Sequence, residues 1–118
     1  MMKNAFIEAG RVGEIENGAM KEVIVDGRHI LLARIGEVYY ATDNRCTHAG
    51  GKLSEGKLEG TVVTCPRHGS QFDLKDGSVV RWMSGSGMIS AVGRALKKPV
   101  SIKKYDVKVD GDKVFVEA

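Results

Sequence analysis

Two short segments of the sequence carry cysteine and histidine at spacings suited to metal binding. Cys46 and His48 form a C-x-H pattern, Cys65 and His68 form a C-x-x-H pattern, and 16 residues separate His48 from Cys65. Thiolate is a soft, charged ligand and imidazole a neutral, borderline one. Two of each could hold zinc, or an iron–sulfur cluster whose irons divide the ligand types. The chain has two cysteines and three histidines, so chance is a poor explanation; only His29 lies elsewhere, as a strand residue.

Short strands are predicted on either side of these segments. Runs rich in β-branched and aromatic residues alternate with turn dipeptides, and Asp-Gly occurs three times, beginning at positions 26, 76 and 110. About eight short strands joined in this way indicate an all-β, antiparallel domain. The clearest predicted strands are Met20–Val25, His29–Arg34, Val38–Ala41, Thr61–Thr64, Ser78–Val80, Tyr105–Val109 and Lys113–Glu117.

Two stretches of the chain lack a strand pattern. The first, Thr42–Gly60, has no periodicity and contains the first cysteine segment. The second begins at the Gly/Ser run 84–87 and continues into apolar residues that share one helical face. This pattern predicts a short helix near 87–97 that ends before Pro99.

Composition excludes several classes of protein. A chain of 118 residues with 42% hydrophobic and 28% charged residues can form one domain with its own core. It has no run of about 18 apolar residues to span a membrane, and acids and glycines precede any apolar run at its start, unlike a signal peptide. We therefore expect a cytoplasmic protein without a structural disulfide. The phosphate-binding motifs GxGxxG and GxxxxGK[ST] and the nucleophile motif GxSxG do not occur.

The net charge of +3 is concentrated towards the C-terminus. Residues 1–80 contain 10 Lys/Arg against 11 Asp/Glu, whereas residues 81–118 contain 8 against 4. The basic segment lacks interleaved aromatic residues, so it predicts a solvated face, or a docking face for an acidic partner, rather than a nucleic-acid site.

The two cysteine segments, CTHAGG and CPRHGSQFD, resemble the cluster-binding loops of the Rieske [2Fe–2S] family, in particular its soluble ferredoxins. The lead-in VYYATDNR and the trailing KYDVKVDGDKVFVEA are also similar to that family, so the resemblance extends from about Phe6 to the end. It implies a single Rieske domain over 1–118, with a β-sandwich and a small cluster-binding subdomain at about 43–80.

The resemblance also implies roles for individual residues. Cys46 and Cys65 would hold one iron, and His48 and His68 would hold the other and face solvent as the electron exit. Glycines let the backbone approach the sulfides and direct N–H groups at them. The residues expected around the cluster are Gly50, Gly51, Arg67, Gly69, Ser70, Phe72 and Trp82.

Departures from the family pattern predict a low reduction potential. High-potential members carry an additional disulfide and a tyrosine hydroxyl near the cluster, whereas this chain has no further cysteine and has Phe72 at the tyrosine position. Fewer hydrogen bonds to sulfur lower the potential, so we expect a value nearer to about −150 mV than +300 mV. A second departure is the segment 82–98, which is longer than expected.

The function implied by the resemblance is one-electron transfer from a flavin-dependent reductase to a terminal oxygenase or a similar acceptor. The protein would be an electron-transfer component and not itself an enzyme, and it would act as a monomer without nucleic acid or membrane. Two alternatives remain: a small Rieske-like subunit of a nitrite-reductase-type complex, and a structural zinc module. Zinc sites more often pair Cys with Cys and His with His, which disfavours the last.

Overall fold

The computed structural model describes residues 5–47, 50–67, 69–82 and 100–118. Within these ranges the chain forms eleven strands and one short 3-10 helix. In chain order they are β1 Phe6–Arg11, β2 Met20–Val25, β3 Arg28–Ile35, β4 Val38–Asp43, the 3-10 helix Leu53–Glu55, β5 Lys57–Glu59, β6 Val62–Thr64, β7 Gln71–Asp73, β8 Val79–Arg81, β9 Lys104–Tyr105, β10 Val107–Asp110 and β11 Lys113–Glu117.

The strands form three antiparallel sheets. One sheet has the order β1-β11-β10, the second β2-β3-β4-β9, and the third β5-β6-β7-β8. The third sheet is built from consecutive hairpins, and it includes the strands on both sides of the second cysteine segment. The prediction of an all-β, antiparallel fold is therefore confirmed.

Strand β3 is buried on both of its faces. Successive side chains of a strand point to opposite faces, and here both faces contact a hydrophobic core. Ile30 and Leu32 pack into the core shared with β10 and β11, whereas Leu31 and Ala33 pack into the core that contains both cysteines. All four are at most 1% exposed. A run of consecutive apolar residues is what a strand buried on both faces requires.

The two cores have separate memberships. The first lies between the sheet of β2, β3, β4 and β9 and the sheet of β1, β10 and β11, so these two sheets form a sandwich. Its buried members are Ile15, Val23, Val25, Ile30, Leu32, Tyr39, Ala41, Tyr105, Val114 and Val116. The second comprises Leu31, Ala33, Cys46, Leu53, Val63, Cys65, Phe72, Leu74, Trp82 and Ile102.

The first Asp-Gly dipeptide forms the hairpin turn that its sequence predicts. Asp26 and Gly27 have φ values of 52° and 77°, and Val25 pairs with Arg28 across them. Two consecutive positive φ values match the twist of the flanking strands, and Asp-Gly tolerates them.

One predicted strand, Tyr105–Val109, is two strands in the structure. β9 pairs with β4, whereas β10 pairs with β11, so the chain passes from one sheet to the other at Asp106. The backbone N–H of Glu117 donates to the Asp106 carbonyl at 2.9 Å at this crossing.

Three strands, β1, β5 and β7, carry no strong signal in the sequence and are not predicted from it. β5 and β7 have only three residues each. Short segments of mixed polarity are ordered by pairing with their neighbours and not by their own pattern. The helix predicted near 87–97 lies outside the described residues.

Candidate metal centre

The first cysteine segment is a loop closed by two backbone hydrogen bonds. The N–H of Cys46 donates to the Gly51 carbonyl at 2.8 Å, and the N–H of Gly50 donates to the Cys46 carbonyl at 2.8 Å. Gly50 has a φ of 73°, in the left-handed region that glycine adopts without a steric penalty. These bonds therefore turn the chain back towards Cys46 by Gly51.

The second cysteine segment repeats this geometry. The N–H of Cys65 donates to the Ser70 carbonyl at 2.7 Å, and the N–H of Gly69 donates to the Cys65 carbonyl at 3.1 Å. Gly69 has a φ of 76°. In both loops the cysteine thus bonds to the residues four and five positions later, with a left-handed glycine at the fourth. Two loops from separate parts of the chain thus share the same hydrogen bonds and the same glycine conformation, which indicates a site with two similar halves.

The two loops lie against each other. A Cβ placed on Gly51 would stand 3.2 Å from Cys65 Sγ and 2.8 Å from the side chain of Arg67, so the first loop passes directly beside the second cysteine. A Cβ on Gly56 would stand 1.9 Å from the Thr64 carbonyl oxygen. Backbone therefore contacts backbone where the 3-10 helix meets the end of β6, and this close approach requires glycine.

The thiols of both cysteines are buried. Cys46 and Cys65 are each 2% exposed, and no disulfide joins them. Ser70 is fully buried, and its hydroxyl oxygen has no hydrogen-bond partner among the described residues. A buried hydroxyl without a partner is costly, so it indicates an acceptor that the polypeptide itself does not provide.

The other predicted site residues fall into two groups. Phe72 and Trp82 are buried in the core that contains both cysteines, at 0% and 3% exposure, and the glycines lie in the loops described above. His48 and His68 lie outside the described residues. Among the described residues no three Cys, His, Asp or Glu side chains converge on a metal site. The structure therefore brings together the two cysteines and their surroundings, while the histidine half of the prediction is not tested.

Asn44 anchors the first loop, and sequence reasoning did not identify it. It is 1% exposed, and its Nδ2 donates to Glu22 Oε2 at 2.9 Å and to Ser54 Oγ at 2.8 Å. Its Oδ1 accepts from the Ser54 backbone N–H at 2.7 Å, and its own N–H donates to the His29 carbonyl at 3.0 Å. Asparagine is common in loops, so no pattern distinguishes this buried residue from a turn residue.

Arg81 and Thr47 connect the loops to other parts of the chain. Arg81 donates from Nε and Nη2 to the Gly69 carbonyl at 3.2 and 3.1 Å, which holds the second loop. Thr47 Oγ1 donates to the Val100 carbonyl at 2.5 Å. Residues 83–99 are not described, yet Trp82 on one side of them and Val100 on the other both contact the cysteine region.

Glu22 is the centre of a polar cluster beside the first loop. Its carboxylate accepts from Asn44, and it contacts His29 Nδ1 at 3.1 Å and Lys52 Nζ at 3.3 Å. These contacts, the Asn44 amide first, hold the pKa of Glu22 below its ordinary value. With Arg45 and Gly50, the same residues line a cleft of about 250 Å³.

The lowered pKa predicts an acid-dependent part of the stability. The unfolded chain binds a proton at Glu22 at a higher pH than the folded chain does, so this contribution is complete above about pH 4.3 and is lost as the pH falls through the lower folded pKa. We expect Glu22→Gln to be less stable at neutral pH and to lose less stability on acidification. Urea unfolding between neutral pH and about pH 3 measures both slopes. Glu59→Gln, an exposed acid on β5 outside the cluster, is the control, and equal slopes for Glu22→Gln and wild type would contradict the assignment.

The family follows from comparison with known proteins. A profile of the Rieske [2Fe-2S] domain matches residues 5–92, most of the chain. The chain belongs to the Rieske family. Its cofactor is therefore a Rieske-type [2Fe–2S] cluster, and the described residues fit one: two buried thiols supply soft ligands, and the buried Ser70 hydroxyl needs an acceptor.

Relatives of this Rieske protein match nearly its full length. The ferredoxin component of a naphthalene 1,2-dioxygenase system from Pseudomonas aeruginosa is 35% identical over 118 residues, 98% of this chain and 98% of its own. The ferredoxin of carbazole 1,9a-dioxygenase from Nocardioides aromaticivorans IC177 has the same fold, with a TM-score of 0.80, 24% identity and coverage of 96% and 97%. A chain in the complex of reduced oxygenase and oxidized ferredoxin in carbazole 1,9a-dioxygenase matches with a TM-score of 0.75, 26% identity and coverage of 95% and 92%.

The described part of this Rieske protein contains no helix long and apolar enough to cross a membrane.

Proposed function

We propose that this protein is a one-electron carrier that receives electrons from a flavin-dependent reductase and delivers them to a terminal oxygenase. In this assignment Cys46 and Cys65 ligate one iron of the cluster, and His48 and His68 ligate the other. When bound, the cluster supplies a reversible change of one electron. The chain is then an electron-transfer component and not an enzyme, as its relatives are named components of dioxygenase systems.

The observation that carries this proposal is the pairing of the two cysteine loops. Each loop closes by the same two hydrogen bonds, and Gly51 of the first passes beside Cys65 Sγ of the second. Both buried thiols belong to the same hydrophobic cluster, which supports a shared site. Their remaining ligand-type residues, His48 and His68, belong to the same two loops, as a cluster with divided ligand types requires.

Residues around the thiols have distinct tasks in this proposal. Gly50 and Gly69 turn the backbone so that each loop encloses its half of the site. Ser70 offers its hydroxyl as a hydrogen-bond donor to the cluster. Phe72 and Trp82 exclude water from the thiol side, which affects the potential through the local dielectric.

The partners are proposed from the relatives. One similar structure is a complex of oxygenase and ferredoxin, and several relatives are named ferredoxin components of dioxygenase systems. A carrier must present the same exit to a donor and then to an acceptor, and a monomer leaves that exit accessible. We therefore propose a cytoplasmic monomer with one Rieske domain, whose cluster-binding part, about 43–80, contains the third sheet.

The test is spectroscopic and functional. Purified holoprotein should be coloured, should show a Rieske-type EPR signal on reduction, and should titrate reversibly with one electron at a potential in the low part of the family range. It should also support turnover when combined with a flavin-dependent reductase and a terminal oxygenase of a related system. A colourless protein that contains zinc and lacks the EPR signal would overturn the proposal.

Ser70 gives a quantitative prediction for the potential. Ser70→Ala should lower the midpoint potential by about 40–90 mV, because a hydrogen bond to sulfur stabilises the more negative, reduced cluster over the oxidised one by about 1–2 kcal/mol, and a one-electron couple shifts by about 59 mV for each tenfold change in the equilibrium constant. The folded protein should lose little stability, since no described residue bonds to this hydroxyl. Redox titration measures the shift. Ser78→Ala, in the turn before β8, should leave the potential unchanged, and an equal potential for Ser70→Ala and wild type would contradict the role of Ser70.

A further inference from the structure

Strand β8 contains one extra residue beside the second cysteine loop. Gln71 of β7 pairs with Arg81, and the next residue of β7, Phe72, pairs with Val79. Val80 therefore opposes no residue of β7, and it is 53% exposed. Such a β-bulge redirects the side chains that follow it, and bulges are frequent beside functional sites. The bulge thus determines the direction in which Arg81 points.

The bulge places Arg81 on the outer face of the third sheet and Trp82 in the core. Side chains of a regular strand alternate between the two faces, and residues paired across strands share a face. Val79 packs against the core that contains both cysteines, as its partner Phe72 does. In a regular strand Arg81 would point to that core. Because one residue is inserted, Arg81 shares the opposite face with Gln71, and Trp82 is buried.

On this outer face Arg81 binds the turn of the second loop. Its Nε and Nη2 both donate to the Gly69 carbonyl, at 3.2 and 3.1 Å. Because the guanidinium is planar and rigid, two donors on one oxygen fix the direction of the carbonyl. The N–H of Gly69 donates to the Cys65 carbonyl at 3.1 Å. Gly69 is therefore held at its N–H by the loop and at its carbonyl by Arg81.

The Gly69 carbonyl belongs to the same peptide unit as the Ser70 N–H. A trans peptide is planar, and no cis bond occurs among the described residues, so this carbonyl and this N–H point in opposite directions. Arg81 lies on the exposed side of the unit, whereas Ser70 is fully buried. The Ser70 N–H therefore points towards the interior, where the hydroxyl of the same residue is also buried.

From this geometry we propose that Arg81 is a positioning residue for electron transfer: by holding the Gly69–Ser70 peptide unit, it directs the Ser70 N–H into the cluster site and thereby raises the reduction potential. The inference rests on the proposed function, because the cluster is what the Ser70 N–H would bind. A hydrogen bond to a cluster sulfur favours the reduced, more negative state. Without Arg81 the peptide unit can rotate, and this donor is lost for part of the time.

Lys57 provides a matched control for the charge of Arg81. Thr64 and Gln71 pair with each other in the middle strands of the third sheet. Lys57 pairs with Thr64, and Arg81 pairs with Gln71, so the two cations lie at opposite ends of one row across the sheet. Both are exposed, but Lys57 has no bond to the second loop among the described residues. Lys57→Met and Arg81→Met thus remove the same charge from the same face.

Redox titration of the holoproteins measures the effect of Arg81. We expect the equilibrium constant for reduction to fall on the order of tenfold in Arg81→Met, which is about 59 mV for one electron. In Lys57→Met it should change less than about twofold, because water and salt screen an exposed charge. Arg81→Lys keeps a cationic donor and should recover at least half of the lost potential. Val80→Arg/Arg81→Val moves the guanidinium to the extra residue at constant net charge and should resemble Arg81→Met.

The salt dependence of the potential separates positioning from charge. Salt screens the field of an exposed guanidinium, whereas it does not change the direction of a peptide unit. The difference in midpoint potential between wild type and Arg81→Met should therefore be the same at about 20 mM and at about 500 mM salt. A difference that disappears at high salt, or an equal loss in Lys57→Met, would mean that charge alone acts and would contradict the proposal.

Hydrogen exchange of the oxidised holoprotein, followed by mass spectrometry, tests the loop itself. In Arg81→Met, peptides that contain residues 69–72 should exchange on the order of tenfold faster than in wild type, whereas peptides from β2 and β3 should not change. Faster exchange with an unchanged potential would mean that Arg81 only supports the fold. Unchanged exchange would mean that Arg81 does not hold the loop. Either result overturns the proposal.

Two further results separate this proposal from the proposed function. If Arg81→Met does not fold, Arg81→Lys and Val80→Arg/Arg81→Val provide the same comparison, because only the second displaces the cation from the Gly69 carbonyl; equal potentials in these two variants would contradict the role of Arg81. A protein without a Rieske signal contradicts the proposed function instead, and hydrogen exchange at residues 69–72 still tests whether Arg81 holds the loop.

Discussion

Cys46→Ser and Cys65→Ser should each give a colourless protein with iron reduced from about two atoms per chain to nearly none and with no Rieske EPR signal. Each cysteine would be one of two thiolates on a single iron, so the loss of either leaves that iron without half of its protein ligands. A serine hydroxyl is a poor ligand at neutral pH because it does not ionise as a thiol does. Iron analysis and EPR of the reduced protein measure the result.

A neighbouring substitution is the control for these variants. Pro66→Ala changes an exposed residue next to Cys65 and should retain colour, iron and signal. The core that lies between the two sandwich sheets does not include either cysteine, so backbone circular dichroism should still report the β-sandwich in the serine variants. A Cys65→Ser protein that keeps its iron and its Rieske signal would remove Cys65 from the ligand set.

Much of the fold could be predicted because local chemistry and tertiary contacts agree. The Asp26-Gly27 turn and β2 appear as predicted, because the dipeptide accepts two positive φ values and the flanking residues favour strands. β3 is one residue longer at each end than its predicted range, His29–Arg34, since pairing with both neighbours extends it. Such strands carry their own signal.

The missed strands lack such a signal for physical reasons. β5 reads Lys-Leu-Glu and β7 reads Gln-Phe-Asp, each with one apolar residue between two polar ones. Three residues are too few to show a period, and pairing with β6 is what orders both strands. The break at Asp106 is also a tertiary effect, since the sequence alternates without interruption where the chain changes sheets.

The candidate site, like the fold, has a part that the sequence predicts and a part that it does not. The sequence marks the ligand candidates because each of the two cysteines is followed by a histidine within three residues, a spacing that few other sites share. The supporting contacts of Asn44 and Arg81 depend on partners far away in sequence, Glu22 and the Gly69 carbonyl, so no local pattern can reveal them. The residues that support the site are therefore known only from the fold, whereas the residues that carry its chemistry can be predicted from the sequence.

Gly56→Ala should destabilise the protein by about 3 kcal/mol or more, although it adds a single methyl group. A Cβ at this position would lie 1.9 Å from the Thr64 carbonyl oxygen, a backbone atom that cannot rotate away. To relieve the clash, the 3-10 helix must move away from the end of β6, and Cys65 follows Thr64 directly. Urea unfolding measures the stability, and visible absorption during unfolding measures the release of the cluster, which should be faster than in wild type.

Gly10→Ala is the matched comparison for this clash. Neither glycine has a positive φ, so backbone strain does not distinguish them. The nearest atom to a Cβ on Gly10 is Glu14 Oε1 at 2.9 Å, the end of a flexible side chain that can move. Gly10→Ala should therefore change stability by less than about 1 kcal/mol. Equal stability of Gly56→Ala and Gly10→Ala would contradict this prediction. It would mean that the backbone contact between Gly56 and Thr64 does not hold the 3-10 helix against the end of β6.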